Sequence, residues 1–162
     1  MRPNCTVRAL QIARHTEIRY PQATALIGLA TADQRADCAA RAHADEALTL
    51  TRETGYRCLE GRALSVLASI HLTTGQPEQA LAHAQQALAI HRETGQRLHQ
   101  AHTHLLVGHA LRPTQGPEAA LPHWREALTL LTDAGSPYAD HAHRLIQDPA
   151  NSHPGTIDLP MA

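Results

Sequence analysis

The phrase ALAIHRETGQR, residues 87–97, has a near copy forty residues away on each side: ALTLTRETGYR at 47–57 and ALTLLTDAGSP at 127–137. The same shift superimposes Gly55, Gly95 and Gly135, Arg57 with Arg97, Pro77-Glu78 with Pro117-Glu118, and His43, His83 and His123. A fixed period in this range means stacked supersecondary units, none of which can bury its apolar face alone. That constraint outranks every local motif in the chain.

Within one unit the apolar spacing is helical. Leu64, Leu67, Ala68 and His71 fall at i, i+3, i+4 and i+7, as do Ala80, His83, Ala84 and Ala87. Between them TTGQPEQ supplies a stop and a restart: Gly75 suits a left-handed helix end, Pro77 a first turn, and Glu78 the positive end of a new helix. The spacing predicts first helices over about 21–33, 58–73 and 98–112 and second helices over about 36–53, 77–93 and 117–133. With no Phe, one Trp and an apolar content built from Ala and Leu, close helix packing fits better than a sheet. The fold class expected is all-α: a right-handed α-solenoid of antiparallel helix pairs, about three and a half repeats long.

These residues resemble the tetratricopeptide repeat. The units offer Leu64, Leu67, Ala68, His71, Ala80, Ala84 and Ala87, then His104, Val107, Gly108, Leu111, Ala120, Trp124 and Ala127. The earliest offers Leu26, Leu29, Ala30, Ala40, Ala44 and Ala47. The forty-residue period and the ALxxxRETGxR phrase are similar to the repeat variant of actinobacterial transcriptional regulators of the SARP and AfsR type. Neither a phosphate loop nor a helix-turn-helix lies outside the repeats here. The resemblance implies a non-catalytic protein- or peptide-interaction module without a cofactor, derived from the repeat portion of a cytoplasmic regulator. It also implies a concave groove lined by Arg62, Ser65, Ser69 and Leu72 and by His102, Leu105, His109 and Arg112, with Thr24 and Thr31 roughly equivalent. Such a lining is polar and mildly cationic, suited to an extended peptide with acidic or hydrogen-bonding groups, or else to solvent alone.

The partition expected is a repeat domain over 1–147 and a disordered Pro-rich tail over 148–162. The domain divides into a partial repeat at 5–19, repeats at about 20–55, 56–95 and 96–135, and a capping helix at 137–147. The segment VRALQIARH reads as a second helix whose first helix is missing, leaving Val7, Leu10 and Ala13 as apolar surface open to self-association. In the capping helix Leu145 and Ile146 face inward, with His141, His143 and Arg144 available to solvent.

Thirteen His raise a rival reading, a metal-binding or hydrolytic protein. A helical zinc site wants two ligands at i and i+4, and no two His are four apart; His99 and His102 come nearest. His43, His83 and His123 sit beside the helix seam, where a ring packs and satisfies one nitrogen. Cys5, Cys38 and Cys58 lack a C-x-x-C spacing and read as small buried hydrophobes, and no G-x-S-x-G elbow occurs. All fourteen basic residues are Arg, yet net charge is −1 and no basic block exists, so direct nucleic-acid binding is not indicated. The N-terminus is neither signal peptide nor membrane span, which makes a cytoplasmic location the default.

Overall fold

The computed structural model describes residues 3–15, 18–32 and 38–149. Eight helices follow in order: α1 (Pro3–His15), α2 (Arg19–Ala32), α3 (Cys38–Thr54), α4 (Arg57–Thr73), α5 (Pro77–Glu93), α6 (Arg97–Gln115), α7 (Pro117–Asp133) and α8 (Ala139–Gln147). Each packs on the next, and α4 also touches α2 and α6. The chain is an all-α solenoid of helix pairs, α2/α3, α4/α5 and α6/α7, with α1 and α8 at its ends. The tail proposed for 148–162 lies almost wholly outside the described residues.

The RETG phrase stops a helix. At Gly95 φ is 70°, in the left-handed region where glycine meets no Cβ penalty. Beyond it the Gln96 N–H returns to the His91 carbonyl at 2.9 Å, and the Thr94 N–H to Ile90 at 2.9 Å. Those bonds satisfy carbonyls that the helix end would orphan. The same closure recurs from Tyr56 to Thr51, Gln76 to His71 and Ser136 to Leu131. Residues of successive phrases also close each helix pair on itself: Arg57 bonds Glu93 at 2.6 Å, and forty residues on Arg97 bonds Asp133 at 2.9 Å.

One helix runs past its expected end. The spacing predicts an end at about residue 112, but α6 continues through Pro113 to Gln115. Pro113 offers no N–H, and the last turn is held instead by the Thr114 hydroxyl donating to Ala110 (2.9 Å) and the Gly116 N–H to Arg112 (3.1 Å). Gly116, at φ 93°, is then the single residue between α6 and α7.

First and second helices are buried differently. Every residue of α4 from Leu59 to His71 is buried except Arg62, and so is every residue of α6 from Ala101 to Leu111. The second helices bury one stripe: Ala80, Ala84, Ala87, Leu88, Ile90 and His91 in α5, and Ala120, Trp124, Ala127, Leu130 and Leu131 in α7. Glycine permits the closest approaches. A Cβ at Gly61 would stand 2.7 Å from His91 Cε1, and one at Gly108 would overlap the Trp124 indole.

Three expectations are corrected. Leu10 and Ala13 are buried, because they face α2; the exposed apolar residues nearby are Val7, Ile12, Ile18 and Tyr20. Cys38 and Cys58 are exposed, since each lies in the first turn of its helix, before the packed faces begin at Ala40 and Leu59. His141 is half-buried and faces His109 at a ring distance of 6.3 Å instead of solvent.

Candidate functional site

The residues expected to line a groove fall into two groups. Arg62 and Arg112 remain partly open, as does Leu72. Ser65, Ser69, His102 and His109 are 2–3% exposed and Leu105 is fully buried, so none of these five presents itself to solvent. The next first helix covers them. Ser65 Oγ lies 3.2 Å from Thr103 Oγ1 of α6, while His102 meets the Tyr138 ring at 5.8 Å and His109 meets His141 of α8. At the array's start Thr24 is exposed and Thr31 half-buried, each hydroxyl donating to the carbonyl one turn back, at Tyr20 and Ile27.

Histidine pairs mark the interfaces between helices. His71 stacks on His83 across α4 and α5 at 5.1 Å, and His91 meets His99 across α5 and α6 at 5.2 Å. His104 meets His123 across α6 and α7 at 5.2 Å. In the last pair the Arg92 guanidinium donates to His104 Nε2 at 3.4 Å, which leaves His104 Nδ1 as the N–H that donates to His123 Nδ1 at 3.0 Å. His91 Nδ1–H donates to Gln96 Oε1 at 3.0 Å, and its Nε2 lies 3.2 Å from Ser65 Oγ, whose hydroxyl donates to the Gly61 carbonyl at 3.1 Å. His71 makes the equivalent bond to Gln76 at 2.7 Å. Of the three His spaced by forty, His83 donates to the Gln79 carbonyl and His123 accepts from His104, but His43 Nδ1 is buried without a hydrogen-bond partner.

Burial sets the electrostatics of these rings. It is the leading cause that holds His91, His102, His104 and His109 down at about 4, reinforced by neighbouring His and Arg. His71, His99, His123 and His141 are lowered by the same cause. All eight are therefore neutral near pH 7. Among the described residues no three His, Cys, Asp or Glu gather as a metal-ligand set. The His104–His123 pair also resists a cation, because a metal on both Nδ1 atoms would turn the His104 Nε2–H toward the Arg92 donor.

Charge separates by layer. Among the described residues the first helices α2, α4 and α6 contain one acid, Glu60, and Arg52 and Arg57 hold it at 3.1 and 2.6 Å. The second helices carry the other acids, apart from Asp140 and Asp148 at the C-terminal end. The layering can be read from the acids and the helix bounds, whereas the His91–Ser65–Thr103 contact depends on which helix neighbours which.

Residues 21–93, spanning α2 to α5, match the tetratricopeptide repeat family model. No curated protein matches the chain. The family's repeats generally mediate contacts between proteins and are generally non-catalytic, which supports a protein-interaction module. The α6/α7 pair lies beyond the matched segment and repeats its residues at the forty-residue spacing. No helix among the described residues is long and apolar enough to cross a membrane.

Proposed function

We propose that the chain is the protein-binding repeat portion of a cytoplasmic transcriptional regulator, and that its partner is an extended peptide carrying acidic groups. The charge layering is the observation that carries this reading. A face supplied by first helices nearly free of acids, with Arg62 and Arg112 at its open positions, suits carboxylate groups that a guanidinium can grip in bidentate fashion. The forty-residue phrase favours the regulator origin, and no cofactor enters the reading.

Selection from a displayed peptide library tests it. Wild-type protein should enrich acidic peptides, and Arg62→Ala/Arg112→Ala protein should lose them while its circular dichroism is unchanged. Equal enrichment by both proteins removes the mapping.

The exposed apolar side chains Val7, Ile12, Ile18 and Tyr20, each 43–59% exposed, favour a second reading, self-association through the N-terminal end. Light scattering should then show a dimer that Val7→Glu splits. Leu10→Glu is unsuited to this test, because Leu10 is buried against the chain's own α2.

A further inference from the structure

We propose that α8 is an acid-released latch: it sits at neutral pH over His102 and His109 of α6 and leaves its seat on acidification while α2 to α7 stay folded. The contact is independent of any peptide reading of the first helices.

The seat is unusual in its polar accounting. Both ring nitrogens of His102 and both of His109 are buried without a hydrogen-bond partner. Elsewhere the buried rings are anchored: His71 and His91 each donate to a glutamine, and His104 is bonded at both nitrogens. An imidazole that gains a proton needs an acceptor for each N–H, and an unmet charge in a buried site costs far more than an unmet neutral group. At His102 and His109 no acceptor is in place.

The neighbours add repulsion. His109 faces His141 of α8 and the Trp124 ring of α7, with Arg112 on its own helix. His141 in turn feels Arg144. His102 faces the Tyr138 ring just before α8, with His99 on its own helix. Among the described residues the charged groups acting on these rings are cationic or become so, and none is a carboxylate. Protonation thus places like charges across the α6–α8 contact.

What holds α8 is slight. It has nine residues, packs on α7 with only Ala142 and Leu145 buried and Ile146 half-buried, and the bond between Gln147 and His143 stays within the helix. The pairs within α4 to α7 are backed instead by long packed helices.

Hydrogen exchange of the full chain from pH 7.5 to 4.5, corrected for intrinsic rates, tests the latch. Protection over 139–147 should fall between ten- and a hundredfold per pH unit below about 6.5, the slope of one to two protons taken up on release, before protection over 77–111 changes. His102→Leu/His109→Leu protein, which replaces partnerless rings with apolar groups, should keep α8 protected to pH 4.5. The single variant His109→Leu should show a shallower slope and keeps the test sharp if the double variant folds poorly. Leu145→Asp should expose 139–147 at pH 7.5 and report the released state. Loss of α8 protection only together with α4 to α7, or an unchanged pH response in the His variants, overturns the proposal.

Discussion

The two first helices α4 and α6 and the two second helices α5 and α7 are similar in length, 17 to 19 residues, but not in role. The first are buried on nearly every side through their middles, whereas the second bury one stripe and face solvent with the rest. A solenoid is usually pictured with its inner helices as a lining; here they are a spine, and each successive first helix covers the one before. Most of the large buried side chains sit on the first helices, Leu26, Leu64, Leu67, Leu105 and Leu106 among them, and one crossing reverses that rule. Trp124 of α7 is the largest fully buried side chain, seated over Gly108 of α6. Trp124→Ala should cost about 3–5 kcal/mol by removing that volume from a packed site. Urea unfolding at pH 7.5 measures it, and a loss below that range would show that the spine collapses into the gap.

The histidine interfaces allow a second break between the layers. Below their unfolded value of about 6.5 the unfolded chain binds protons that buried His91 and His104 refuse until about pH 4. Stability from these rings is therefore full above pH 6.5 and lost as pH falls toward 4. His91 occupies the position that Thr51 and Leu131 fill in the other units, and all three are fully buried. His91→Leu should accordingly flatten the acid limb of a urea-midpoint profile by one proton; an unchanged profile would mean that His91 stays hydrated.

The spacing of Ala, Leu and Gly makes the helices, their order and their stops legible in the sequence. Repeat identity shows which residues are equivalent, so Gly95 and Gly135 could be read as stops from Gly55. It does not show how close successive first helices come. That distance depends on the size of side chains in contact, and small residues here let α6 close over Ser65 and Ser69. Polar identity at those positions accordingly suggested a solvated lining where the structure has an interface. The Leu10 and Ala13 stripe failed for a related reason: α1 already has a neighbour in α2.

Glycine at the crossings sharpens the comparison at smaller scale. Gly108→Ala should cost about 1–3 kcal/mol through overlap with the indole, and Gly61→Ala a similar amount against His91. Combining Gly108→Ala with Trp124→Ala should cost less than the sum of the two, because the added methyl then enters the space the indole left. Additive costs in that cycle would place the strain elsewhere in α6.

The repeated ion pair should have the smallest effect of all. Arg57 with Glu93, and Arg97 with Asp133, tie the start of a first helix to the end of its own second helix. Arg57 lowers the Glu93 carboxyl chiefly by its hydrogen bond, which shows that the contact is felt. Yet the partners are 44–66% exposed, and water and salt screen such pairs while side-chain entropy opposes them. Arg97→Ala should therefore move the urea midpoint only within replicate scatter, and raising salt should leave even that difference smaller. A marked loss of stability from Arg97→Ala would mean that the phrase clamps the layers and does not simply set their register.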